Sequence, residues 1–424
     1  MRYQSPKGTL DILPEDQVYW QHVTARARHI CALYGYSEIE TPIFEYTPVF
    51  ARGIGLGTDI VDKEMYTFED KGGDSLTLRP EFTAGVVRAY LEHGMHLRTQ
   101  PVRLYSLGPA FRHERPQAGR YREFHQLNVE AIGEQDPALD LEIMLLTWHL
   151  YDDLGFKGLA FQINSTGCPN CRPAYIHDHL RPYLNRQVDQ LAAEDQRRLE
   201  RNPLRVLDSK EDQSQAIIEG APRIIDFLCK ECYLHFESLC SFLELLDRPY
   251  TLNHRLVRGL DYYTKTVFEI WAQGIGAQNA LGGGGRYDGL AEALGGPPTP
   301  GVGVATGLER IILLLKEQAI QVPPLSSPEV FVAYRGEVAR RAAIELAAEL
   351  RTAGIATLGA MGDRSLKAQM KQADREGVRY ALILGDDEIA AGSVTVRKMA
   401  TGEQKAVARH AVVDYLRRSS QLLE

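Results

Sequence analysis

No part of this 424-residue chain stays apolar for long. Its longest purely aliphatic run, Ile311 to Leu315, is five residues, far below the ~20 that a bilayer-spanning helix needs. The opening MRYQSPKGTL has no apolar signal-peptide core, so the expectation is a cytoplasmic protein without a membrane partner. Cysteine is scarce too, and six residues in a chain of this length do not make a disulfide framework. A phosphate loop of the G-x-x-x-x-G-K-[ST] type is missing, and neither GIGLGTD nor GVGVATG satisfies G-x-G-x-x-G. That argues against a P-loop or dinucleotide fold, and any bound nucleotide must be held by arginines instead. Nor is there a basic excess: a net charge of -8 is wrong for a protein that coats nucleic acid indiscriminately.

What is present is ordinary globular composition, 44% hydrophobic and 25% charged, with length for about three domains at ~150 residues each. Charge is uneven: residues 329–424 hold 15 Lys and Arg against 13 Asp and Glu, a local balance of +2, so a polyanion meets least repulsion there. Pro14 opens a helix that runs to Gly35, and YSEIETPIF follows as a short strand stopped by Pro42. MYTFEDKGGDSLTLRP reads as a hairpin about Lys71-Gly72-Gly73, Glu81 to His93 as a helix, and VRLYSLGPAFRHE with REFHQLNVEAIG as two extended arms. A helix from Asp136 to Leu154 and the strand LAFQINS come next. Residues 166–247 then change character, with long charged helical stretches and few β signals, as expected of an inserted helical module. Strand character resumes in YTLNHRLVRGLDYYTKTVFEIWA, Gly282 to Gly285 reads as a glycine-rich turn, and GVGVATGLERIILLL as strand into helix. Antiparallel strands separated by helices give an α+β domain from 1–165 and 248–320. QVPPLSSP, residues 321–328, is a linker, and 329–424 alternate strand and helix as a small separate α/β domain.

The chemistry-bearing residues cluster. FRHERPQAGRYREF packs Arg112, Arg115, Arg120 and Arg122 into eleven residues, in the loop between the two extended arms. Arg258 in RGLDYY and Arg310 in GLERI stand apart from it; singly, each arginine reads as a surface ion pair. Four consecutive glycines before Arg286 cost backbone entropy, which suggests that something must approach the backbone closely. Asp261, Tyr262 and Tyr263 lie together on a strand-like segment. Gln126, Asn128 and Glu130 follow at period two, so their side chains share one sheet face. Such a row is either a self-satisfied polar network or one completed by a ligand. In the C-terminal domain Arg364, Lys367, Lys371 and Arg375 recur at steps of three, four and four on one helix face. A solvated charged face and contact with a nucleic-acid backbone are the two readings of that stripe.

Taken in order, these segments resemble the class II aminoacyl-tRNA synthetases, and among them the histidyl-tRNA synthetases. YGYSEIETPIFE is similar to class II motif 1, which in the family builds the dimer interface; YSLGPAFRHERPQAGRYREFHQLNVE is similar to motif 2 and GVGVATGLER to motif 3. RGLDYYTKTVFE and LGGGGRYDGL resemble the two peptides peculiar to the histidine enzymes. The resemblance covers nearly the whole chain. It implies a six- to seven-stranded antiparallel catalytic core with a helical insertion, a C-terminal α/β anticodon-binding domain, and a homodimer. It implies a two-step reaction: L-histidine and ATP, with Mg²⁺, form histidyl-adenylate and pyrophosphate, and the histidyl group then passes to the terminal ribose of tRNA(His).

By the same resemblance Arg112 and Arg258 hold the α-phosphate, and Arg112, Glu114, Arg120 and Arg310 contact ATP. Histidine falls to Glu81, Thr83, Arg112, Gln126, Glu130, Arg258, Tyr262 and Tyr263. The tRNA acceptor end falls to Arg115, Gln117 and Arg122; to these the basic stripe of the C-terminal domain, read from its spacing and charge, adds Arg364, Lys367 and Lys371 as tRNA contacts. This chain departs from the family in having Phe82 where Gly is usual and Gly85 where Pro is usual. A second class of relative regulates the first enzyme of histidine biosynthesis, ATP phosphoribosyltransferase, without catalysis. Such relatives lack the C-terminal domain and the signature arginine, whereas this chain has residues 329–424 and Arg258. A non-catalytic RNA-binding module would need neither the glycine run nor three separated arginines.

Cys168-x-x-Cys171 and Cys229-x-x-Cys232 are paired as zinc ligands often are, but 57 intervening residues exceed the usual ~15–20. Family members often carry further cysteines where this chain has AAEDQ and LDSK. A structural metal and plain reduced thiols both remain open, and no catalytic role follows from either.

Overall fold

The computed structural model describes residues 3–55, 58, 60–116, 119–273, 280–325 and 328–421. The chain forms two compact units, Met1–Pro323 and Pro324–Glu424, which meet inside the proline-rich stretch.

The first unit contains β1 (Ser37–Glu38), β2 (Phe44–Tyr46), β3 (Thr67–Glu69), β4 (Ser75–Leu78), β5 (Val102–Phe111), β6 (Glu123–Ile132), β7 (Ala160–Ser165), β8 (Tyr250–Leu252), β9 (Thr264–Trp271), β10 (Ala280–Arg286) and β11 (Gly301–Gly307). Eight of them form one sheet in the order β1-β5-β6-β11-β10-β9-β7-β8. Its six inner strands are antiparallel neighbours, and the two short edge strands β1 and β8 join in parallel. A smaller sheet, β2-β4-β3, contains the expected hairpin.

Period-two alternation divides the large sheet into a dry face and a polar one. On β6, Leu127, Val129 and Ala131 enter the main core. The helices Gln17–Leu33, Pro137–Asp153 and Lys230–Leu245 cover that core with Val23, Ile30, Ile143, Leu150, Leu239 and Leu243. Gln126, Asn128 and Glu130 therefore face the other way. Asp136 starts the second of these helices by accepting a hydrogen bond from the Ala138 N–H at 2.8 Å, as an N-cap should.

Two local expectations need correcting. Gly282 to Gly285 form no turn; they are the middle of strand β10, paired on both sides. The glycines are there because neighbours occupy the space that side chains would fill. A Cβ on Gly284 would lie 2.0 Å from the Gly303 carbonyl oxygen, one on Gly285 2.4 Å from the Thr266 carbonyl oxygen, and one on Gly283 2.7 Å from an Arg258 Nη. The close approach inferred from the glycine run is thus made by the protein itself. Likewise YTLNHRLVRGLDYYTKTVFEIWA is not continuous: β8 pairs with one edge of β7 and β9 with the other. Residues 253–263 must cross between those edges, so Arg258, Asp261, Tyr262 and Tyr263 sit on a loop.

At the end of β10, Arg286 is fully buried. Its guanidinium donates to Asp140 at 2.7 Å, to Asp288 at 3.3 Å and to the backbone carbonyls of Glu134 and Asp136. His235 lies 3.2 Å from the other Asp140 oxygen. Burial raises the Asp140 carboxyl, but Arg286 and His235 together carry it below its ordinary range. Between β7 and β8 the chain is helical and builds its own core from Tyr175, Leu180, Leu184, Leu199, Leu207 and Ile218. Within it, buried Asp195 accepts from Ser209 and Ser214 at 2.6 Å each.

The second unit contains β12 (Val330–Tyr334), β13 (Thr357–Gly359), β14 (Tyr380–Leu384), β15 (Ser393–Lys398) and β16 (Gln404–Ala408), in the order β13-β12-β14-β15-β16. β13, β12 and β14 are parallel, and β15 and β16 add antiparallel. β16 and the closing helix Val412–Gln421 escaped the sequence pattern, since QKAVA is a charged, mostly exposed edge strand that lacks a clear period.

Candidate active site

The polar face of the sheet carries a cluster of buried polar groups. Glu130 lies at its centre, 1% exposed, and receives hydrogen bonds from Thr83 Oγ at 2.5 Å, from Asn128 Nδ2 at 2.8 Å and from the Tyr287 hydroxyl. Burial pushes its carboxyl up to about 8, against the pull of those three donors and with help from the nearby Glu81 charge. Gly303 on β11 makes room for it, because a Cβ there would fall 1.8 Å from Glu130 Oε2. Gly301 does the same for the Tyr287 ring.

One wall is the start of the helix Thr83–Glu92. Glu81 accepts from the backbone N–H groups of Thr83 at 2.6 Å and Ala84 at 2.9 Å, which satisfies two orphan donors of that helix. Burial raises the Glu81 carboxyl, opposed by those bonds and by the Arg112 charge. Phe82 is buried among Val86, Leu104 and Ala110, with the Arg79 guanidinium 4.1 Å from its ring centre. The opposite wall is the 253–263 crossing. The Tyr262 and Tyr263 rings lie 4.8 Å apart between centres, tilted 56° to one another, and Tyr287 meets Tyr262 edge-on at 5.9 Å. Burial raises the Tyr262 and Tyr263 phenols. Arg258 donates to Glu269 at 2.7 Å; burial opposes its charge, but Tyr263 and Glu269 hold its pKa above the usual value. Two buried atoms, Gln126 Oε1 and Arg258 Nε, have no hydrogen-bond partner among the described residues.

The arginine loop closes the remaining side. Arg112 donates from Nε to the Pro80 carbonyl at 2.8 Å, and its guanidinium lies 5.3 Å from the Phe124 ring centre. Glu114 sits between Arg112 at 3.8 Å and Arg120 at 3.5 Å. Arg122 is half-buried, lies against Gly8 and donates from Nε to the Glu114 carbonyl at 3.3 Å. Arg115 is exposed, and Gln117 lies outside the described residues. Beside this loop a cleft of about 380 Å³ is lined by Arg120, Arg255, Arg310, Lys210, Asp208 and Glu269. Burial lowers the Arg310 guanidinium pKa, and the neighbouring Arg120 lowers it further.

The structure therefore brings together Glu81, Thr83, Glu130, Tyr262 and Tyr263, and sets Arg112, Arg258, Arg120 and Arg310 around them. Sequence reading passed over Tyr287 and Glu269 as site residues. Both lie inside the peptides LGGGGRYDGL and RGLDYYTKTVFE, but Tyr287 reaches Glu130 and Glu269 reaches Arg258 only in the folded sheet, so the linear sequence carries no local signal for either. In the second unit Lys367, Lys371 and Arg375 are exposed on the helix Leu366–Arg375. Arg364 precedes that helix, because Ser365 caps it by accepting from the Ala368 N–H; the stripe thus begins two residues before the first helical residue, Leu366.

Residues 8–311 match the histidyl-tRNA synthetase family and residues 329–419 the anticodon binding domain family. A histidine–tRNA ligase of Dehalococcoides mccartyi is 53% identical over 96% of this chain and 97% of its own length. One from Pelotomaculum thermopropionicum is 54% identical over 97% of each. The crystal structure of apo histidyl-tRNA synthetase from S. aureus superposes with a TM-score of 0.82 at 39% identity, covering 98% of this chain and 99% of that one.

Proposed function

This chain belongs to the histidyl-tRNA synthetase family and ligates histidine to tRNA, and from that premise we propose which of its groups carry each step. ATP is a substrate of the family's reaction. Histidine lies on the β6 face, with its imidazole between Glu130 and Tyr263 and its polar main-chain groups toward Glu81, Thr83, Gln126, Tyr262 and Arg112. A neutral imidazole offers one N–H donor and one acceptor, so a carboxylate and a phenol can read both ends. Gln126 Oε1, buried without a partner among the described residues on the strand that carries Glu130, is the observation that carries this reading. An apolar competitor would leave these groups unpaired, a penalty worth ~10⁴-fold discrimination.

The histidine carboxylate attacks the α-phosphate, pyrophosphate leaves, and Arg112 and Arg258 meet the charge that builds on the phosphoryl oxygens. A fixed donor of this kind is worth roughly 3 kcal/mol. Arg120, Arg310 and Glu114 hold the nucleotide along the adjoining cleft. Mg²⁺ fits there: Asp208 and Glu269 line the same cleft, and burial together with the Glu269 charge raises Asp208, so a hard cation between oxygen ligands would relieve both. Bound with ATP, it would offset phosphate charge.

Arg115, Gln117 and Arg122 receive the tRNA acceptor end, and Arg364, Lys367 and Lys371 its backbone elsewhere. A second copy of the chain covers β2 and β3, where Phe44, Tyr46 and Phe68 are exposed at 50%, 58% and 44%. Among the described residues no helix is long and apolar enough to cross a membrane, and the reaction belongs in the cytoplasm with its tRNA. ATP–pyrophosphate exchange with each amino acid in turn tests the reading. Exchange with histidine alone supports it, and silence with every amino acid would favour the regulatory role.

A further inference from the structure

We propose that Cys168, Cys171, Cys229 and Cys232 bind one zinc ion, which fastens the root of the helical insertion to the loop that carries Tyr263. The inference stands apart from the assignment of substrates. The four sulfurs come from two places far apart in the chain, the turn after β7 and the first turn of the helix Lys230–Leu245, yet all lie within 4.8 Å of one another. Cys168 Sγ is 3.7 Å from Cys171 Sγ and 3.8 Å from Cys229 Sγ. Tetrahedral zinc with Zn–S bonds of ~2.3 Å places its sulfurs about 3.8 Å apart, whereas bonded sulfurs would be about 2 Å apart.

The surroundings suit a metal centre. Cys168, Cys171 and Cys232 are 8%, 7% and 1% exposed, and among the described residues the potential metal-binding group is all cysteine. Four soft thiolates favour zinc over hard cations. Gly167, with φ of 68°, leaves room for the knuckle, because a Cβ there would lie 2.9 Å from Cys171 Sγ. The Cys168 N–H points at Cys171 Sγ at 3.3 Å.

A zinc tetrathiolate carries two net negative charges, and Arg172 follows directly on Cys171. Its guanidinium also donates to the carbonyls of Thr166, Gly167 and Tyr263. Lys265 bonds through its backbone to Gly167 and Thr166, and its ammonium lies 2.9 Å from Glu231, between Cys229 and Cys232 in the chain. Two cations thus bridge the four-cysteine centre and the pocket wall.

The test is metal content and cysteine state of the full-length protein prepared without chelator. Elemental analysis should give about one zinc per chain. Replacement by cobalt should give the visible ligand-field bands of tetrahedral thiolate coordination. Cys171→Ser and Cys232→Ser should lose the metal, Cys31→Ser and Cys240→Ser should keep it, and stripping the metal should raise the KM for histidine more than it lowers kcat. Wild-type protein that binds no stoichiometric zinc or cobalt would overturn the proposal, whether its thiols titrate as free or as disulfides. Metal retained in Cys171→Ser and Cys232→Ser would overturn the ligand assignment. If a variant fails to fold, the wild-type stoichiometry and cobalt spectrum decide alone.

Discussion

Burial in the fold carries the Glu130 carboxyl well above the ordinary carboxylate range. Folded, it keeps its proton up to about 8; unfolded, only to about 4.5. Between those values the folded state binds the extra proton, so this contribution to stability is full below the lower one and is lost as pH rises through the upper. Glu130→Gln should flatten the dependence of melting temperature on pH across that window, leaving what Glu81, also raised by burial, contributes; the three facing phenols are raised above their ordinary value of 10 and stay protonated there. An unchanged slope would assign the titration to another group. Arg258→Ala should lower pyrophosphate exchange by ~10²–10³-fold with little change in histidine affinity, since its charge meets one that grows only in the transition state; equilibrium binding beside the exchange rate separates the two. Period-two spacing made Gln126 and Glu130 legible in the sequence. Tyr287 was not, because its partner Glu130 is 157 residues away and only the sheet order unites them.

Strand β10 shows what an element can hide. Four glycines together resemble a turn by local propensity, and the tertiary neighbours that overrule propensity are invisible in one dimension. The neighbours differ, and so should substitutions. A methyl at Gly284 would meet backbone, so Gly284→Ala should cost ~1–3 kcal/mol of unfolding free energy, measured by denaturant titration. A methyl at Gly283 would meet the Arg258 guanidinium at 2.7 Å and the Phe268 carbonyl oxygen at 2.9 Å, so Gly283→Ala should cost less stability than Gly284→Ala and in addition slow adenylation through Arg258. Equal loss of stability in both, with adenylation unaffected, would refute that distinction. Arg286→Met leaves Asp140 buried without its main counter-charge, and should cost ~3–5 kcal/mol by the same measurement.

At the scale of the whole molecule, the proposed chemistry divides between a unit that activates histidine and a unit that carries the basic stripe. Lys367→Glu with Lys371→Glu should weaken tRNA charging and reduce its salt dependence, while pyrophosphate exchange stays at the wild-type rate. Equal losses in both assays would sink the division of labour. The break between the units was readable, since QVPPLSSP cannot carry a packed element. The eight-stranded order was not, because short strands of similar composition do not state which of them pair.

That order also governs how the chain can be made. β5 and β6 form a local hairpin, but the next neighbour of β6 is β11, and the pairing of Ile132 with Gly301 joins residues about 170 positions apart, a loop whose closure is slow. During synthesis, the strand that carries Glu130 must wait with one edge open until nearly the whole first unit has emerged. A chain interrupted before β11 therefore exposes a ten-residue edge to any other strand nearby, and this unit is at greatest risk of aggregation while it is being translated.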